Sequence, residues 1–293
     1  MKKVPVLDIM QFAEQDSVEN FYANTLQDHL ITRHKNINHP HSHNFYLAIL
    51  FTKGSGIHEV DFNTYKVMPG AIFFLNPGQT HNWQLSADTE GYIFFHTREF
   101  YEIQYTHNRL GQFPFYYSIH NLPLLYLEGD EVATIVQLFK NIFDENHTVN
   151  HFKNNILVSL VDLVYTYSTR LYIKENKFTT ASNNAYYDKF RTFEMLVERQ
   201  FRTEKSPANY AAQLAITPRH LNRVTQAVAG KTATDVVLDR VLLEAKKEMV
   251  LRQDSFANIA SGLGYDDYAY FSRLFKSRTK QTPSEFLTKY RHD

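Results

Sequence analysis

Histidines near the start of an apolar run are the side chains in this sequence best suited to bind a ligand or a metal ion. His41 and His43 alternate in His39-Pro40-His41-Ser42-His43, and His81 ends the later segment Asn76-Pro77-Gly78-Gln79-Thr80-His81. Residues i and i+2 lie on one face of a β-strand, and His81 could approach them from another strand. Three imidazoles could hold Zn²⁺, Fe²⁺, Mn²⁺ or Ni²⁺ and leave a coordination position open.

The two histidine segments resemble the two sequence motifs of cupins. Metal-binding cupins usually supply a glutamate shortly after the second histidine, but Leu47 or Ala48 stands at that place here and no replacement carboxylate is evident. The pattern therefore favours histidines that cap strands or line a small-molecule pocket, and no cofactor is expected. A divalent metal on His41, His43 and His81 is the alternative.

Apolar residues next to the histidines could form such a pocket. Phe45, Leu47 and Ile49 share strand parity with His43 and would share its face. An apolar cavity with a few polar groups is how small-molecule sites are generally built, although a plain hydrophobic core predicts the same residues. The predicted effector-contacting residues are His41, His43, Phe45, His81 and Trp83.

A second set of polar residues lies in a repeat in the last third of the chain. Leu221-Asn222-Arg223-Val224 matches Phe271-Ser272-Arg273-Leu274 at an offset of 50 positions (221 to 271), and Thr232 matches Thr282 at the same offset. Upstream, Ala211 matches Ala260 at an offset of 49, which one inserted residue explains. The two copies indicate a duplicated helical unit and not a solenoid.

Each copy has the signals of a helix, a tight turn and a second helix. Small residues at Ala211 and Ala260 allow one helix to cross another closely, as a helix-turn-helix requires. A single helix over 233–251 separates the copies. The predicted helix starts, by N-cap residue or by capping box, are Ser206-Pro207, Thr217-Pro218, Ser255, Asp266 and Thr282-Pro283-Ser284-Glu285.

The second helix of each copy has one apolar side and one polar side. The apolar sides are predicted to be Leu221, Val224 and Val228 in one copy and Phe271, Leu274 and Phe275 in the other. Arginine and asparagine can make bidentate contacts with guanine and adenine edges in the major groove. Lys276, Arg278 and Lys280 suit phosphate contacts. The predicted DNA-binding residues are Arg219, Asn222, Arg223, Gln226, Tyr268, Tyr270, Ser272, Arg273 and Lys276.

Residues 185–293 resemble the C-terminal DNA-binding domain of AraC/XylS-type transcription regulators. The resemblance is strongest at Ile259-Ala260, Gly264-Tyr265-Asp266, Tyr270-Phe271-Ser272-Arg273-Leu274-Phe275-Lys276 and Thr282-Pro283-Ser284-Glu285-Phe286. The first copy departs from the family pattern, because Val224-Thr225-Gln226-Ala227-Val228-Ala229-Gly230 lacks the customary aromatic residue and lysines. Cupin-like N-terminal halves are usual in the same family.

The N-terminal half alternates short strands with turns before its pattern becomes helical. Apolar runs at 45–51, 57–60, 71–75 and 92–95 are separated by glycine- and proline-containing turns, which is typical of a sandwich or small barrel. Helical spacing of apolar residues predicts helices over about 130–146 and 150–173. The fold class expected is α+β, with an N-terminal cupin-like β-barrel with flanking helices and an all-α C-terminal domain of two helix-turn-helix units joined by a linker helix.

The predicted domains follow these elements. Residues 1–173 form the cupin-like effector-binding domain and include helices 130–173, 174–184 form a linker, and 185–293 form the DNA-binding domain. Within the last domain, the first helix-turn-helix spans about 207–230, the linker helix 233–251 and the second helix-turn-helix about 255–280.

Charge supports the division, although the whole chain is neutral with 31 basic and 31 acidic residues. Residues 1–184 carry 13 basic and 18 acidic residues, and 185–293 carry 18 and 13, so the net charges are −5 and +5. Twelve of the 14 histidines precede the division. Cysteine is absent, which excludes disulfides, thiolate nucleophiles and cysteine-ligated zinc. No apolar stretch of signal-peptide length begins the chain, and a soluble cytoplasmic protein with no membrane partner is expected.

These observations together predict a one-component transcription regulator. The N-terminal domain would sense a small-molecule effector, the C-terminal domain would bind duplex DNA, and no enzymatic activity is expected. The family resemblance implies a homodimer formed through helices 130–173, with Leu157, Leu160, Val161 and Val164 as candidate contacts. Packing of these helices on the barrel of the same chain is the alternative, because it gives the same apolar spacing. It also implies an activator, with RNA polymerase as a further partner. The alternative is a metal-dependent cupin enzyme or metal sensor fused to a DNA-binding domain.

Overall fold

Two compact units make up the chain, Pro5–Lys177 and Phe178–Asp293. The computed structural model describes residues 6–12, 18–33, 39–102, 110–118, 120–175, 184–251 and 254–290. Two five-stranded sheets lie in the first unit and the second is helical, which confirms the predicted fold class. Most of the predicted linker, residues 176–183, lies outside the described residues.

Ten strands form the two sheets of the first unit. They are β1 (Val6–Leu7), β2 (Phe21–Thr25), β3 (His41–His43), β4 (Tyr46–Lys53), β5 (Gly56–Val60), β6 (Asn63–Val67), β7 (Ala71–Leu75), β8 (Thr80–Leu85), β9 (Glu90–His96) and β10 (Leu124–Tyr126). One sheet has the order β1-β3-β8-β5-β6 and the other β10-β7-β4-β9-β2. The β1–β3 pair is parallel and every other described pair is antiparallel.

Strand β4 is apolar from Tyr46 to Phe51 because both of its faces are buried there. Phe45, just before the strand, and Ile49 within it belong to the core cluster of the unit, which contains residues of both sheets. Ala48 is equally buried on the opposite face. That face of the sheet is covered by helices, since Phe94 packs on Phe139 with ring centroids 5.0 Å apart. A continuous apolar run is the sequence pattern of such a strand.

Three short segments of the first unit are 3₁₀-helices (Ile9–Phe12 and Leu110–Gln112) or a π-helix (His29–Arg33). Its described residues also form five α-helices, two of which are long. They are α1 (Leu26–Asp28), α2 (Arg98–Glu102), α3 (Pro114–Tyr117), α4 (Asp130–Asn146) and α5 (Lys153–Glu175). The prediction of a helix over 130–146 is confirmed. The helix predicted from 150 begins three residues later, because residues up to Phe152 form the turn after α4 and Phe152 has a φ of +62°.

Helix α5 is long and apolar enough, over Lys153–Lys174, to cross a membrane by length and composition alone. Core helices of soluble proteins meet the same criterion. Leu157, Val161 and Tyr165 of this helix are fully buried within the unit, which is the arrangement of a core helix.

Seven helices form the second unit. They are α6 (Asn184–Gln200), α7 (Pro207–Gln213), α8 (Pro218–Ala229), α9 (Ala233–Leu251), α10 (Phe256–Gly262), α11 (Tyr268–Thr279) and α12 (Pro283–Thr288). The pairs α7–α8 and α10–α11 are the predicted helix-turn-helix units, and α9 is the predicted helix over 233–251.

Most predicted helix starts are confirmed. The side chains of Thr217 and Ser255 accept hydrogen bonds from the backbone at the third helical position, and Thr282 and Glu285 form a complete capping box. Ser206 occupies the N-cap position of α7 without a side-chain bond. The prediction for α11 was wrong by one residue, since Asp267 and not Asp266 caps it by accepting from Ala269 N.

An ion-pair network joins α6 and its following turn to α9. Arg240 is paired with both Glu198 and Glu244, and Arg202 contacts Glu244 at 2.7 Å and Glu248 at 2.8 Å. Arg202 also donates to Gly262 O at the end of α10. Because these bonds link three helices, they fix the first helix of the second helix-turn-helix on the body of the unit.

Candidate nucleic-acid interface and histidine cluster

Helix α11 exposes the polar side that the sequence predicts. Tyr270, Arg273 and Lys276 are exposed, and Tyr268 and Ser272 are half-buried. Phe271 and Phe275 are fully buried on the opposite side, while Leu274 is only half-buried. The helix therefore presents one guanidinium, one ammonium and one aromatic ring to solvent.

Helix α8 has the same organisation with a different set of side chains. Arg219, Asn222, Arg223 and Gln226 are all exposed. Leu221 and Val224 are buried as predicted, but Val228 is half-buried and Thr225 takes the third buried place. The carboxamide oxygen of Asn222 accepts a hydrogen bond from Ala233 N at 2.8 Å, so this side chain is already engaged within the unit.

Two of the three predicted phosphate contacts have partners within the chain. Arg278 Nη1 lies 2.6 Å from Asp235 Oδ1 of α9. Lys280, with a φ of +65°, donates to Ser277 O at 3.0 Å. Lys276 is exposed one turn before the end of α11 and has the geometry best suited to a phosphate.

Four histidines meet on three adjacent strands of the first unit. His41 and His43 lie on β3, His81 on β8 and His58 on β5, and each is at most 2% exposed. Ring centroids of His41 and His81 are 4.3 Å apart, and His58 Nε2 lies 3.0 Å from His81 Nδ1. We call these four residues the histidine cluster.

Hydrogen bonds to carbonyl oxygens define the tautomers of two cluster members. His41 Nδ1 lies 3.1 Å from His39 O and His43 Nδ1 lies 3.0 Å from Phe45 O. Carbonyls only accept, so both Nδ1 atoms carry the proton, and Nε2 of each neutral ring is an acceptor.

Burial keeps His41, His43 and His58 uncharged at neutral pH. Desolvation lowers the pKa of His41 to about 4, and it lowers the pKa of His43 and of His58 to about 3, with a further contribution from neighbouring His41. His43 Nε2 and His58 Nδ1 are buried without a hydrogen-bond partner among the described residues. Buried polar atoms of this kind are normally paired, so the two nitrogens are candidate ligand contacts.

Aromatic rings surround the cluster. Phe45 stacks on His43 with centroids 4.4 Å apart, Phe73 lies 4.5 Å from His58, and Trp83 lies 5.2 Å from His81. The structure thus brings together the five residues predicted for effector binding and adds His58. Apolar walls with a few polar atoms suit a small organic ligand.

The alternative of a metal centre would use His41, His43 and His81 of the cluster. No group of three or more histidine, cysteine, aspartate or glutamate side chains within the described ranges is placed to hold a metal ion. His58 and His81 direct nitrogens at each other, and Leu47 and Ala48 stand where metal-binding cupins have a carboxylate.

Helix α5 corrects the predicted dimer contacts. Leu157, Val161 and Val164 are 0% exposed because they pack inside their own unit. An adjacent side of the helix, about 100° around its axis, carries a separate apolar stripe at spacings of four, three and four residues. This α5 stripe consists of Ile156, Leu160, Leu163 and Tyr167, of which Leu160 is half-buried and the others are about 40% exposed.

Comparison with known proteins places the two units in one family. The AraC-like ligand binding domain matches residues 28–95, and a helix-turn-helix domain matches residues 210–289. The transcriptional activator RhaR of Mannheimia succiniciproducens is 22% identical over 264 residues, covering 85% of this chain and 87% of that protein.

The chain belongs to the AraC family of transcription regulators. The arabinose operon regulatory protein of Salmonella typhimurium is 20% identical over 82% of this chain and 83% of its own length. A crystal structure of ToxT from Vibrio cholerae is 15% identical with a TM-score of 0.46, covering 94% of this chain and all of that one. This AraC-family chain is a DNA-binding regulator controlled by a small-molecule effector. The histidine cluster lies in the region matched by the ligand-binding domain, and the polar faces of α8 and α11 lie in the region matched by the helix-turn-helix domain.

Sequence reasoning missed three features of this AraC-family protein. His58 shares strand parity with Val60, so the alternation of β5 could have placed it in the interior. The cap at Asp267 differs from the predicted one by a single residue, which is within the uncertainty of helix boundaries. The exposed stripe of α5 has helical spacing like the buried one, and only packing distinguishes the two.

Proposed function

We propose that this regulator is a homodimeric activator whose effector binds at the histidine cluster and whose α8 and α11 read duplex DNA. The observation that carries the proposal is the duplicated helix-turn-helix with exposed arginines at matching places, Arg223 and Arg273. A solvated helix face would not require the same cap, turn and buried positions in both copies.

The exposed side chains have different roles at the DNA. Arg219, Arg223 and Arg273 suit guanine edges, where a bidentate contact contributes about 1–3 kcal/mol of discrimination. Gln226 suits adenine in the same way. Lys276 contacts phosphate, and Tyr268 and Tyr270 contribute apolar surface to thymine methyl groups, with Ser272 as a short polar contact.

Two buried imidazole nitrogens that lack a hydrogen-bond partner among the described residues support effector binding at the histidine cluster. A ligand that hydrogen-bonds His43 Nε2 and His58 Nδ1 would satisfy atoms that are otherwise buried without partners. Phe45, Trp83 and their neighbours would cover its apolar part. Because a ligand shifts an equilibrium only through different affinities for two states, the effector must favour one arrangement of the DNA-binding domains.

The α5 stripe supports homodimerisation. Its spacing of four, three and four residues is the heptad spacing of a two-helix seam. Ile156, Leu163 and Tyr167 of the stripe remain exposed in a single chain, whereas Leu157, Val161 and Val164 on the adjacent side of α5 are buried inside the unit. A second copy of the helix would cover the stripe.

The relatives support the remaining assignments. RhaR and RhaS are named transcriptional activators, so we assign activation to this chain, with RNA polymerase as its partner and the cytoplasm as its location. The relatives are regulators, and we assign no enzymatic activity.

Recovery of genomic fragments bound by the full chain tests the function. We expect a recurrent sequence motif, salt-dependent affinity and loss of the motif in an Arg223→Ala, Arg273→Ala double variant. Fragments recovered at random by the parent chain would refute sequence-specific binding. Genes next to the recovered fragments would indicate the chemical class of the effector.

Metal analysis of protein purified without added metal distinguishes an organic effector from the alternative, a metal-dependent cupin enzyme or metal sensor fused to a DNA-binding domain. An organic effector predicts no stoichiometric metal. Stoichiometric iron, manganese or nickel that disappears in His41→Ala would instead favour the metal-dependent cupin.

A further inference from the structure

Asn222 holds the start of helix α9. Its carboxamide oxygen accepts from Ala233 N at 2.8 Å, and Ala233 is the first residue of α9 and 0% exposed. The first four backbone N–H groups of a helix have no partner within that helix. Without Asn222, a buried N–H would lack an acceptor, which is costly.

The same helical turn also receives a contact from the second reading helix. Thr232 and Asp235 exchange hydrogen bonds at the start of α9. Asp235 N donates to Thr232 Oγ1 at 3.1 Å, and Thr232 N donates to the Asp235 carboxylate. Asp235 in addition pairs with Arg278 at the end of α11. One contact from α8 and one from α11 therefore meet on the first turn of α9.

The second copy of the repeat shows why this asparagine is needed in the first. Position 233 corresponds to Pro283 at the offset of 50, and position 222 corresponds to Ser272. Proline has no N–H and suits the first position of a helix, so α12 requires no acceptor there. Asn222 therefore occurs in the first copy, where the next helix, α9, begins with a residue that has an N–H group.

An asparagine that caps a helix is poorly placed to read a base. Bidentate recognition of adenine uses the carboxamide oxygen and nitrogen together, one accepting from N6 and the other donating to N7. The oxygen of Asn222 is directed to Ala233, within the protein. The neighbouring Arg219, Arg223 and Gln226 are exposed, and within the described part of the chain no hydrogen bond joins their side chains to α9.

We propose that Asn222 is a positioning residue that fixes α8 on α9, and that Arg219, Arg223 and Gln226 read the bases contacted by the first helix-turn-helix. This inference rests on the proposed DNA-binding role of α8. Asn222 then acts on specificity only through the placement of α8.

Three variants of the full chain separate positioning from base reading. Asn222→Asp keeps the acceptor but loses the amide donor, Asn222→Ala loses both, and Asn222→Ala with Ala233→Pro also removes the N–H and copies the second repeat. Each is tested for thermal unfolding by circular dichroism and for base preference with randomised duplexes. Arg223→Ala is the base-reading control.

Positioning predicts a distinct result for each variant. Asn222→Asp retains the melting temperature and the base preference, and its added negative charge weakens all duplexes by the same factor. Asn222→Ala melts roughly 4–8 °C lower, the shift expected when about 1 kcal/mol is lost from a domain near 100 residues. Ala233→Pro should restore most of that loss in the double variant, whereas Arg223→Ala should change base preference alone.

Other outcomes overturn the proposal. A tenfold or greater loss of preference at one base pair in Asn222→Asp, with unchanged melting, would make Asn222 a base reader. Equal melting temperatures of parent and Asn222→Ala would remove the capping role. If the parent chain showed no base preference at all, the DNA-reading proposal would fail, and the melting temperatures would still decide whether Asn222 caps α9.

Discussion

His96 Nε2 of strand β9 lies 2.7 Å from the hydroxyl oxygen of Tyr165 on helix α5, and both residues are 0% exposed. His96 Nδ1 is 2.7 Å from Thr97 O, which fixes its proton there and makes Nε2 an acceptor. Tyr165 therefore donates to His96 and accepts from the Tyr116 hydroxyl at 3.1 Å. This buried chain of hydrogen bonds joins the sheet to the helix that carries the α5 stripe.

Removing the Tyr165 hydroxyl should destabilise the first unit. Tyr165→Phe leaves His96 Nε2 without its donor and leaves the Tyr116 hydroxyl only its longer contact with Leu47 O at 3.5 Å, for an expected loss of about 1–3 kcal/mol. Trp83, the single tryptophan, reports unfolding of this unit by fluorescence in urea. Tyr167→Phe removes a hydroxyl from the exposed side of the same helix and serves as the control. Equal losses in both variants would contradict a special role for the buried hydroxyl.

Acidification should destabilise the first unit through its buried histidines. Burial lowers the pKa of His43 and His58 to about 3 and of His41 and His96 to about 4, against 6.5 in an unfolded chain. Between these values the unfolded state binds more protons, so stability is full above about pH 6.5 and falls as pH decreases toward 4.

Urea titrations at pH 7, 6 and 5 followed by Trp83 fluorescence check this pH dependence. Each buried histidine contributes a slope of at most about 1.4 kcal/mol per pH unit below 6.5. His58→Phe should flatten the dependence, whereas His151→Gln, at an exposed histidine, should not. Stability that is constant from pH 7 to pH 5 would show that these four histidines titrate in the folded protein as they do in the unfolded chain.

The sequence predicted the architecture wherever an element buries a full apolar face. Strands β4 and β7 and helices α4 and α9 have continuous or periodic apolar residues, and they occur where expected. Strand β3 has the sequence His-Ser-His, and β6 is Asn-Thr-Tyr-Lys-Val, neither of which has an apolar pattern. Such strands form because their neighbours supply hydrogen-bonding edges, which a single sequence does not show.

The sequence predicts which residue types form the candidate sites, but it does not predict which residues they contact in the fold. Residue spacing identified His41, His43 and His81, whereas the contact of His58 with His81 comes from pairing of β5 with β8, two strands that β6 and β7 separate along the chain. Asn222 and Arg278 had the right chemistry for DNA contacts. Only the fold shows that both are bonded to the first turn of α9.

Replacing Leu163 by glutamate should disrupt the proposed dimer. Leu163 is 41% exposed at the centre of the α5 stripe, and a charge there would be desolvated by the second helix. We expect the dimer dissociation constant to rise at least about tenfold by sedimentation equilibrium, a loss of about 1.4 kcal/mol. Asn155→Glu, exposed beside the stripe, should leave dimerisation unchanged. A Leu163→Glu chain that dimerises like the parent would exclude the stripe as the interface.

Replacing Arg273 and replacing Lys276 by alanine should change DNA binding in different ways. Arg273→Ala should lose about 1–3 kcal/mol of discrimination at one position of the recovered site. Lys276→Ala should weaken all sequences alike and reduce the salt dependence of binding by about one phosphate contact. Competition binding at several salt concentrations distinguishes the two. Unchanged base preference in Arg273→Ala would remove it from the base-reading set.

Gly264, in the turn between α10 and α11, should not tolerate a side chain. Its φ is +79°, and an added Cβ would lie 2.2 Å from the backbone oxygen of Arg202. Arg202 is held in place because its side chain is bonded to α9 and α10. Gly264→Ala therefore combines backbone strain of about 1–2 kcal/mol with a backbone clash of about 1–3 kcal/mol. Gly230→Ala has a φ of +64° but no atom within 4 Å of the added Cβ, so it should show the strain alone. Circular dichroism of urea unfolding compares the two variants, and equal losses would show that the turn moves away from Arg202 at no cost.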